Sequence, residues 1–164
     1  MKSARAFTLI ELSIVIVIFA IVSAAVAVST SRGILKARFD GELANVTAMI
    51  EKARAYSLNQ LVVQDSEPAE YYLLTVNPTG LVLEAHGSTE EEEVESLILP
   101  EDFSLTTMGS AAIFYFPPDG TICFENENCT SALTEILIVL TENTGTYTQV
   151  IRMNAAGGYP EMVN

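Results

Sequence analysis

The residues able to do chemistry in this chain are few. There is one histidine, His86, there are two cysteines, Cys123 and Cys129, and there is no tryptophan. A Ser-His-Asp or Cys-His site would have to use His86. A zinc site built from nitrogen and sulfur would need His86 and both cysteines to converge. The densest run of carboxylates is Glu90, Glu91, Glu92 and Glu93, with Glu95 just after it. Hard cations take several oxygen ligands, but a contiguous run cannot aim all its oxygens at one centre without a shaped loop, and no EF-hand spacing is present. Residues 86–93 are therefore expected to form a solvated acidic loop carrying His86 at the surface. No nucleophile–base pair and no ligand set can be named, so the sequence predicts no enzyme, no metal and no cofactor.

Composition narrows the partners. Of 164 residues, 21 are acidic and 8 basic, for a formal net charge of -13 and a pI near 4.3. Phosphate backbones are bound through surface Lys and Arg. The basic residues here are scattered, so nucleic acid is not an expected partner. Apolar residues make up 49% of the chain and mean hydropathy is +0.33. The apolar excess sits in one block near the N-terminus, which predicts a chain with two solvents, lipid and water.

That block holds one more chemical group, Glu11. Lys2 and Arg5 come first, then Phe7-Thr8-Leu9-Ile10-Glu11, then 20 residues from 12 to 31 without a charge. About 20 apolar residues at ~1.5 Å each span a hydrocarbon core of ~30 Å. Lys2 and Arg5 favour a cytoplasmic N-terminus, although Arg32, Lys36 and Arg38 follow the run and weaken the asymmetry. A cleaved secretory signal would use the small residues Ala25-Val26-Ala27 as its cleavage site, yet the run exceeds an ordinary signal core. An uncleaved anchor accounts for the length and leaves Glu11 unexplained, because a carboxylate at the edge of a span is expensive and reads as functional.

Ala6-Phe7-Thr8-Leu9-Ile10-Glu11 followed by the long apolar run resembles the prepilin leader and N-methylation motif of type IV pilins and pseudopilins. The resemblance implies cleavage between Ala6 and Phe7 by a prepilin peptidase and methylation of the new Phe7 amine. It also implies that Glu11 recruits the subunit by meeting the N-terminal amine of a neighbour. A charge held in lipid is stabilised by an opposite charge within reach, which gives that pairing a physical basis. The family usually has Gly before the cut, and here the small residue is Ala6.

Elements must then position these groups. Residues 7–61 contain no Pro, and Leu35, Phe39, Leu43, Val46, Ile50 and Ala53 recur at helical spacing. A helix of about 55 residues would be roughly 80 Å long, apolar all round in its first half and amphipathic in its second. Gly33 and Gly41 interrupt it and invite a bend near Gly33. Lys36 with Asp40, and Arg38 with Glu42, are i,i+4 opposite-charge pairs.

The remainder reads as strands: 71–76 and 81–85 joined by the turn Asn77-Pro78-Thr79-Gly80, short strands over 94–99 and 103–107, then 111–116, 134–141 and 147–153. Pro117-Pro118-Asp119-Gly120 and Asn143-Thr144-Gly145 mark turns, and 155–160 closes the chain. Phe114-Tyr115-Phe116-Pro117-Pro118-Asp119-Gly120, with the following strands and Gly157-Gly158, resembles the head of minor pilins and pseudopilins of the GspH/FimT type.

Cys123 and Cys129 enclose a small ring. Beyond the membrane the compartment is oxidising, so a structural disulfide is the default, with free buried thiols, or metal or redox chemistry, as the alternatives. Asn45-Val46-Thr47 and Asn128-Cys129-Thr130 fit the glycosylation pattern in unfavourable helix and ring contexts.

The expected architecture is α+β, a long N-terminal helix packed on an antiparallel β-sheet head. Its parts are a leader over 1–6, a transmembrane and assembly helix over 7–33, and the rest of the helix with the head over 34–164. The resemblance implies a structural subunit of a type IV pilus, type II secretion or competence filament. Its implied partners are a prepilin peptidase, other pilin subunits and an inner-membrane assembly platform. It would sit in the cytoplasmic membrane with its head outside, then in a filament. The competing reading is an anchored or secreted acidic binding module.

Overall fold

A 51-residue helix, α1 (Leu9–Asn59), opens the part of the chain that the computed structural model describes: residues 9–59, 68–87, 91–108, 112–124, 135–155 and 160–163, with only the backbone for 26–29. The chain divides into two compact units, Met1–Arg38 and Phe39–Asn164.

In the first unit the described helix exposes its side chains on every side. Leu9 is 86% exposed, and Ile10, Leu12, Ile16 and Phe19 are also open to the surroundings. An 18-residue window with hydropathy 2.8 and none of it buried is long and apolar enough to cross a membrane. β-Branched Ile and Val are mediocre helix formers in water. In hydrocarbon the helix is favoured because each backbone group must find its partner within the segment. The helix runs without interruption through Gly33 and Gly41, and a Cβ added at either would meet nothing within 4 Å.

In the second unit, residues 39–59 of α1 turn one stripe inward. Phe39, Leu43, Val46, Ile50 and Ala53 are buried as their spacing predicts, and Met49 and Ser57 extend the stripe. The stripe packs into one core with two antiparallel sheets. The first has five strands, β1 (Tyr71–Asn77), β2 (Gly80–His86), β3 (Glu91–Ile98), β5 (Ile113–Phe116) and β6 (Cys123–Phe124), in the order β3-β2-β1-β5-β6. The second has four, β4 (Phe103–Met108), β7 (Glu135–Glu142), β8 (Thr148–Asn154) and β9 (Glu161–Val163), in the order β4-β7-β8-β9. Aromatic contacts tie the helix to both. Phe39 lies 6.2 Å from Phe103 and 5.7 Å from Tyr147, while Tyr56 lies 5.9 Å from Tyr72, centroid to centroid.

Three differences from the sequence expectation have physical causes. Part of the expected acidic loop over 86–93 is strand, since His86 ends β2 and Glu91, Glu92 and Glu93 begin β3, pairing back on it, while 88–90 lie outside the described residues. β3 is an edge, where one side is solvent and charges are tolerated because they oppose edge-to-edge association. A register shift opposite Leu83 and Glu84 makes Val94 the extra residue of a bulge. Second, the strands of the head divide between two sheets, a division that the sequence reading left open, with β4 pairing on β7 rather than on β3. Third, β6 and β9, of two and three residues, are too short to show a period.

Two turns are specified by their residues. Gly80 begins β2 at φ +154°, and a Cβ there would lie 1.9 Å from the carbonyl oxygen of Leu97 on β3. That oxygen belongs to backbone, so it cannot yield cheaply. Gly80→Ala is expected to cost about 3 kcal/mol, read as a lowered urea midpoint. At Pro117-Pro118-Asp119-Gly120, Gly120 N–H donates to the Pro117 carbonyl at 3.1 Å, and Asp119 Oδ1 accepts from the Thr121 N–H and hydroxyl at 2.9 and 2.6 Å. This turn docks on the helix, where Ser57 Oγ donates to the Pro117 carbonyl and Leu58 fills the space a Cβ on Gly120 would need.

Hydrogen bonds from Thr121, led by its hydroxyl, hold the Asp119 carboxyl below the ordinary carboxylate range. The Thr144 hydroxyl does the same for Glu142 in the β7–β8 turn. A carboxyl whose folded pKa is depressed adds stability above its unfolded pKa and loses it as pH falls through the folded value. Acid also relieves self-repulsion in a chain this negative, so the difference between variants is the informative quantity. Between pH 6 and 3 the melting temperature of Glu142→Gln is expected to fall less than that of the unaltered chain. Parallel curves would remove Glu142 from the acid response.

Candidate functional site

The predicted assembly group stands at the start of the apolar helix. Glu11 lies in the first turn of the described α1, exposed, between Ile10 and Leu12. A helix start carries partial positive charge and suits a carboxylate. Ser13 Oγ, two residues on, satisfies itself on the Ile10 carbonyl at 2.9 Å, so it needs no outside partner in an apolar setting. Ala6 and Phe7, the predicted cleavage and methylation positions, lie outside the described residues.

His86 and Cys123 do not meet. His86 is on β2 and Cys123 on β6, with β1 and β5 between them. Three strand spacings of ~4.8 Å separate them by roughly 14 Å. Among the described residues no group of three His, Cys, Asp or Glu could hold a metal ion. Cys123 is 2% exposed on β6. Cys129 lies outside the described residues, as does the sequon beginning at Asn128. The other sequon is helical: Thr47 Oγ1 donates to the Leu43 carbonyl at 2.9 Å, and Asn45 Nδ2 to Glu42 at 3.3 Å.

His86 is less open than a surface loop would leave it. It stacks on Tyr71 at 4.9 Å with 12° between the rings, and its Nδ1 is 3.4 Å from a Glu91 oxygen. The helix contributes a polar contact that no local signal announced. Lys52 Nζ donates to Glu95 of β3 and lies 5.7 Å from the centre of the Tyr56 ring. The hydrogen bond to Glu95 raises the Lys52 pKa. Beside it is an open cleft of about 310 Å³, lined by Asn45, Ala48, Met49, Lys52, Glu95, Ser96 and Leu97. The ionisable groups of that lining, Lys52 and Glu95, are paired to each other.

Residues 1–27 match the family described as the prokaryotic N-terminal methylation motif. No curated protein sequence matches the chain significantly. Among solved structures it is similar to the type IV minor pilin FimU of Pseudomonas aeruginosa in two crystal forms. One is 14% identical with a TM-score of 0.54, covering 82% of this chain and 92% of that one. The other is 12% identical with a TM-score of 0.53, covering 79% and 92%. Identity at this level establishes a shared fold, the long helix with its antiparallel head.

Proposed function

We propose that this pilin-like chain, with an N-terminal methylation motif ahead of a pilin fold, is a structural subunit of a type IV pilus filament. Motif and fold are those of structural subunits rather than enzymes. In this reading a prepilin peptidase removes residues 1–6, cutting between Ala6 and Phe7, and methylates Phe7. Residues 7–33 hold the subunit in the cytoplasmic membrane with the head outside. An inner-membrane platform then lifts it into the filament, where helices of neighbouring pilin subunits replace lipid around residues 12–28. Glu11 meets the Phe7 amine of a neighbour during that step. The observation that carries the reading is the pairing of Glu11 with an apolar helix exposed on every side. An anchor alone has no use for the carboxylate.

Intact-mass and N-terminal peptide spectrometry on protein from the native membrane tests the reading. A chain beginning at N-methylated Phe7 is the expected result. A start near Val28 would assign an ordinary secretory signal and leave an acidic secreted module. An unprocessed Met1 in a host with an active peptidase would also overturn the reading.

The reading includes a Cys123–Cys129 disulfide closing a short ring in the head. By loop entropy such a ring is worth roughly 2–3 kcal/mol. Cys123→Ser is expected to lower head stability by that amount under oxidising conditions and to leave it unchanged relative to the reduced parent.

A further inference from the structure

Charge divides sharply along this chain. From residue 68 to residue 164 there are fifteen acidic residues and a single basic one, Arg152. Arg32, Lys36 and Arg38 instead form an exposed basic collar on α1, just past the apolar segment. Arg32 and Lys36 are one turn apart on the same side, and Arg38 faces away from them.

The five-stranded sheet presents a face that is turned from the helix. Alternation puts Tyr72, Leu74, Val76, Leu81, Leu83 and Ala85 in the core, which sends Tyr71, Leu73, Val82, Glu84 and His86 to the other side. Cross-strand register places Glu91 beside His86, Glu93 beside Glu84, and Tyr115 beside Leu73. The centre of this face is aromatic: Tyr71 stacks on His86 and lies 5.6 Å from Tyr115. Its β3 side is acidic, with Glu84 3.8 Å and Glu91 3.4 Å from the two His86 ring nitrogens. The Nε2 atom of His86 is buried and has no hydrogen-bond partner among the described residues. Aromatic rings flanked by carboxylates suit a guanidinium or ammonium, which gains ring contact and charge-assisted hydrogen bonds together.

We propose that this face, half-buried at its aromatic floor and exposed at Glu91 and Glu93, receives the basic collar of a second copy of the chain. Glu84, Glu91 and Glu93 would meet Arg32 and Lys36, over the floor formed by Tyr71, His86 and Tyr115. The inference rests on the filament reading, which sets copies side by side. Charge complementarity selects the occupant, since the collar holds three of the chain's eight basic residues and residues 68–164 hold one. The contact joins two different patches, so it is heterologous, and such contacts propagate as open helical arrays when the rotation does not close.

Charge reversal in the full chain, followed by recovery of sheared filaments, tests this. Arg32→Glu/Lys36→Glu/Arg38→Glu alone, or Glu84→Lys/Glu91→Lys/Glu93→Lys alone, places like charges across every junction. Each is expected to lower incorporation about tenfold or more. Co-expressing the two variants restores opposite charges at every junction where the two alternate and is expected to restore incorporation. Unchanged incorporation of the single variants overturns the inference. So does loss without rescue, which would assign the collar to lipid headgroups or to a different subunit. A face variant that fails to fold is replaced by Glu84→Gln/Glu91→Gln/Glu93→Gln, which is expected to weaken incorporation and flatten its salt dependence; an unaltered salt dependence counts against the contact. Absence of the unaltered chain from filaments would instead sink the filament reading itself.

Discussion

Glu11→Ala is expected to leave the chain in the membrane and remove it from filaments. The substitution takes the one charge from the leading edge of a helix whose 18-residue window already has a hydropathy of 2.8. Insertion therefore becomes easier rather than harder. Assembly loses more. In the proposed step the carboxylate and the neighbour's Phe7 amine meet where little water competes. Removing one partner of such a pair leaves the other charge buried alone, at a cost of about 3–5 kcal/mol. That corresponds to a fall in incorporation of about a hundredfold to a few thousandfold. The measurement is the ratio of subunit in sheared filaments to subunit in membranes, with Glu11→Asp as the charge-retaining control. Normal incorporation of Glu11→Ala would leave the carboxylate without its assigned role, even if Phe7 were methylated as expected.

What the sequence made legible was local. The apolar run and the stripe from Phe39 to Ala53 depend on periods of a few residues, and both are helical as read. The β1–β2 hairpin follows from Pro78 presetting the turn and from Gly80, where Leu97 leaves no room for a Cβ. β7 was visible because Ile136, Leu137, Ile138, Val139 and Leu140 form an apolar run that only burial explains.

What escaped depended on distant partners. A tetra-Glu run has poor strand propensity, and Glu91 to Glu93 become strand because β2 offers them an edge. Nothing near Lys52 announces that Glu95, 43 residues on, will accept its hydrogen bond. The division into two sheets is likewise a matter of which strands share a core, set by Phe103 and Leu105 facing the helix from β4 and by Tyr72 and Leu74 facing it from β1. At the candidate site, the carboxylate position was legible because a charge in an apolar run is conspicuous. The His86 environment was not, since Tyr71 reaches it only through register.

The head can be broken without touching the segment that assembles. Phe114 on β5 is fully buried, paired across strands with Leu74 and Phe124, and its ring meets Phe124 edge-on at 5.8 Å and 84°. Phe114→Ala removes a large volume from a site held by two neighbouring strands, which limits how far the gap can collapse. The expected loss is about 3–5 kcal/mol, a large fraction of the 5–15 kcal/mol that holds a typical domain together. In urea the midpoint should fall by about 1 M or more. Ile98→Ala provides the contrast, because Ile98 is 81% exposed on the edge strand β3 and its loss should stay within about 0.5 kcal/mol. Phe114 belongs to the unit Phe39–Asn164 and the methylation motif to Met1–Arg38. Phe114→Ala should therefore reach the membrane, start at N-methylated Phe7 and carry a protease-sensitive head, whereas Glu11→Ala should keep a resistant head and fail to assemble. A Phe114→Ala chain that was stable in urea would mean that the β5–β6 contact is not part of the core, and a Phe114→Ala chain left unprocessed would mean that cleavage requires the folded head.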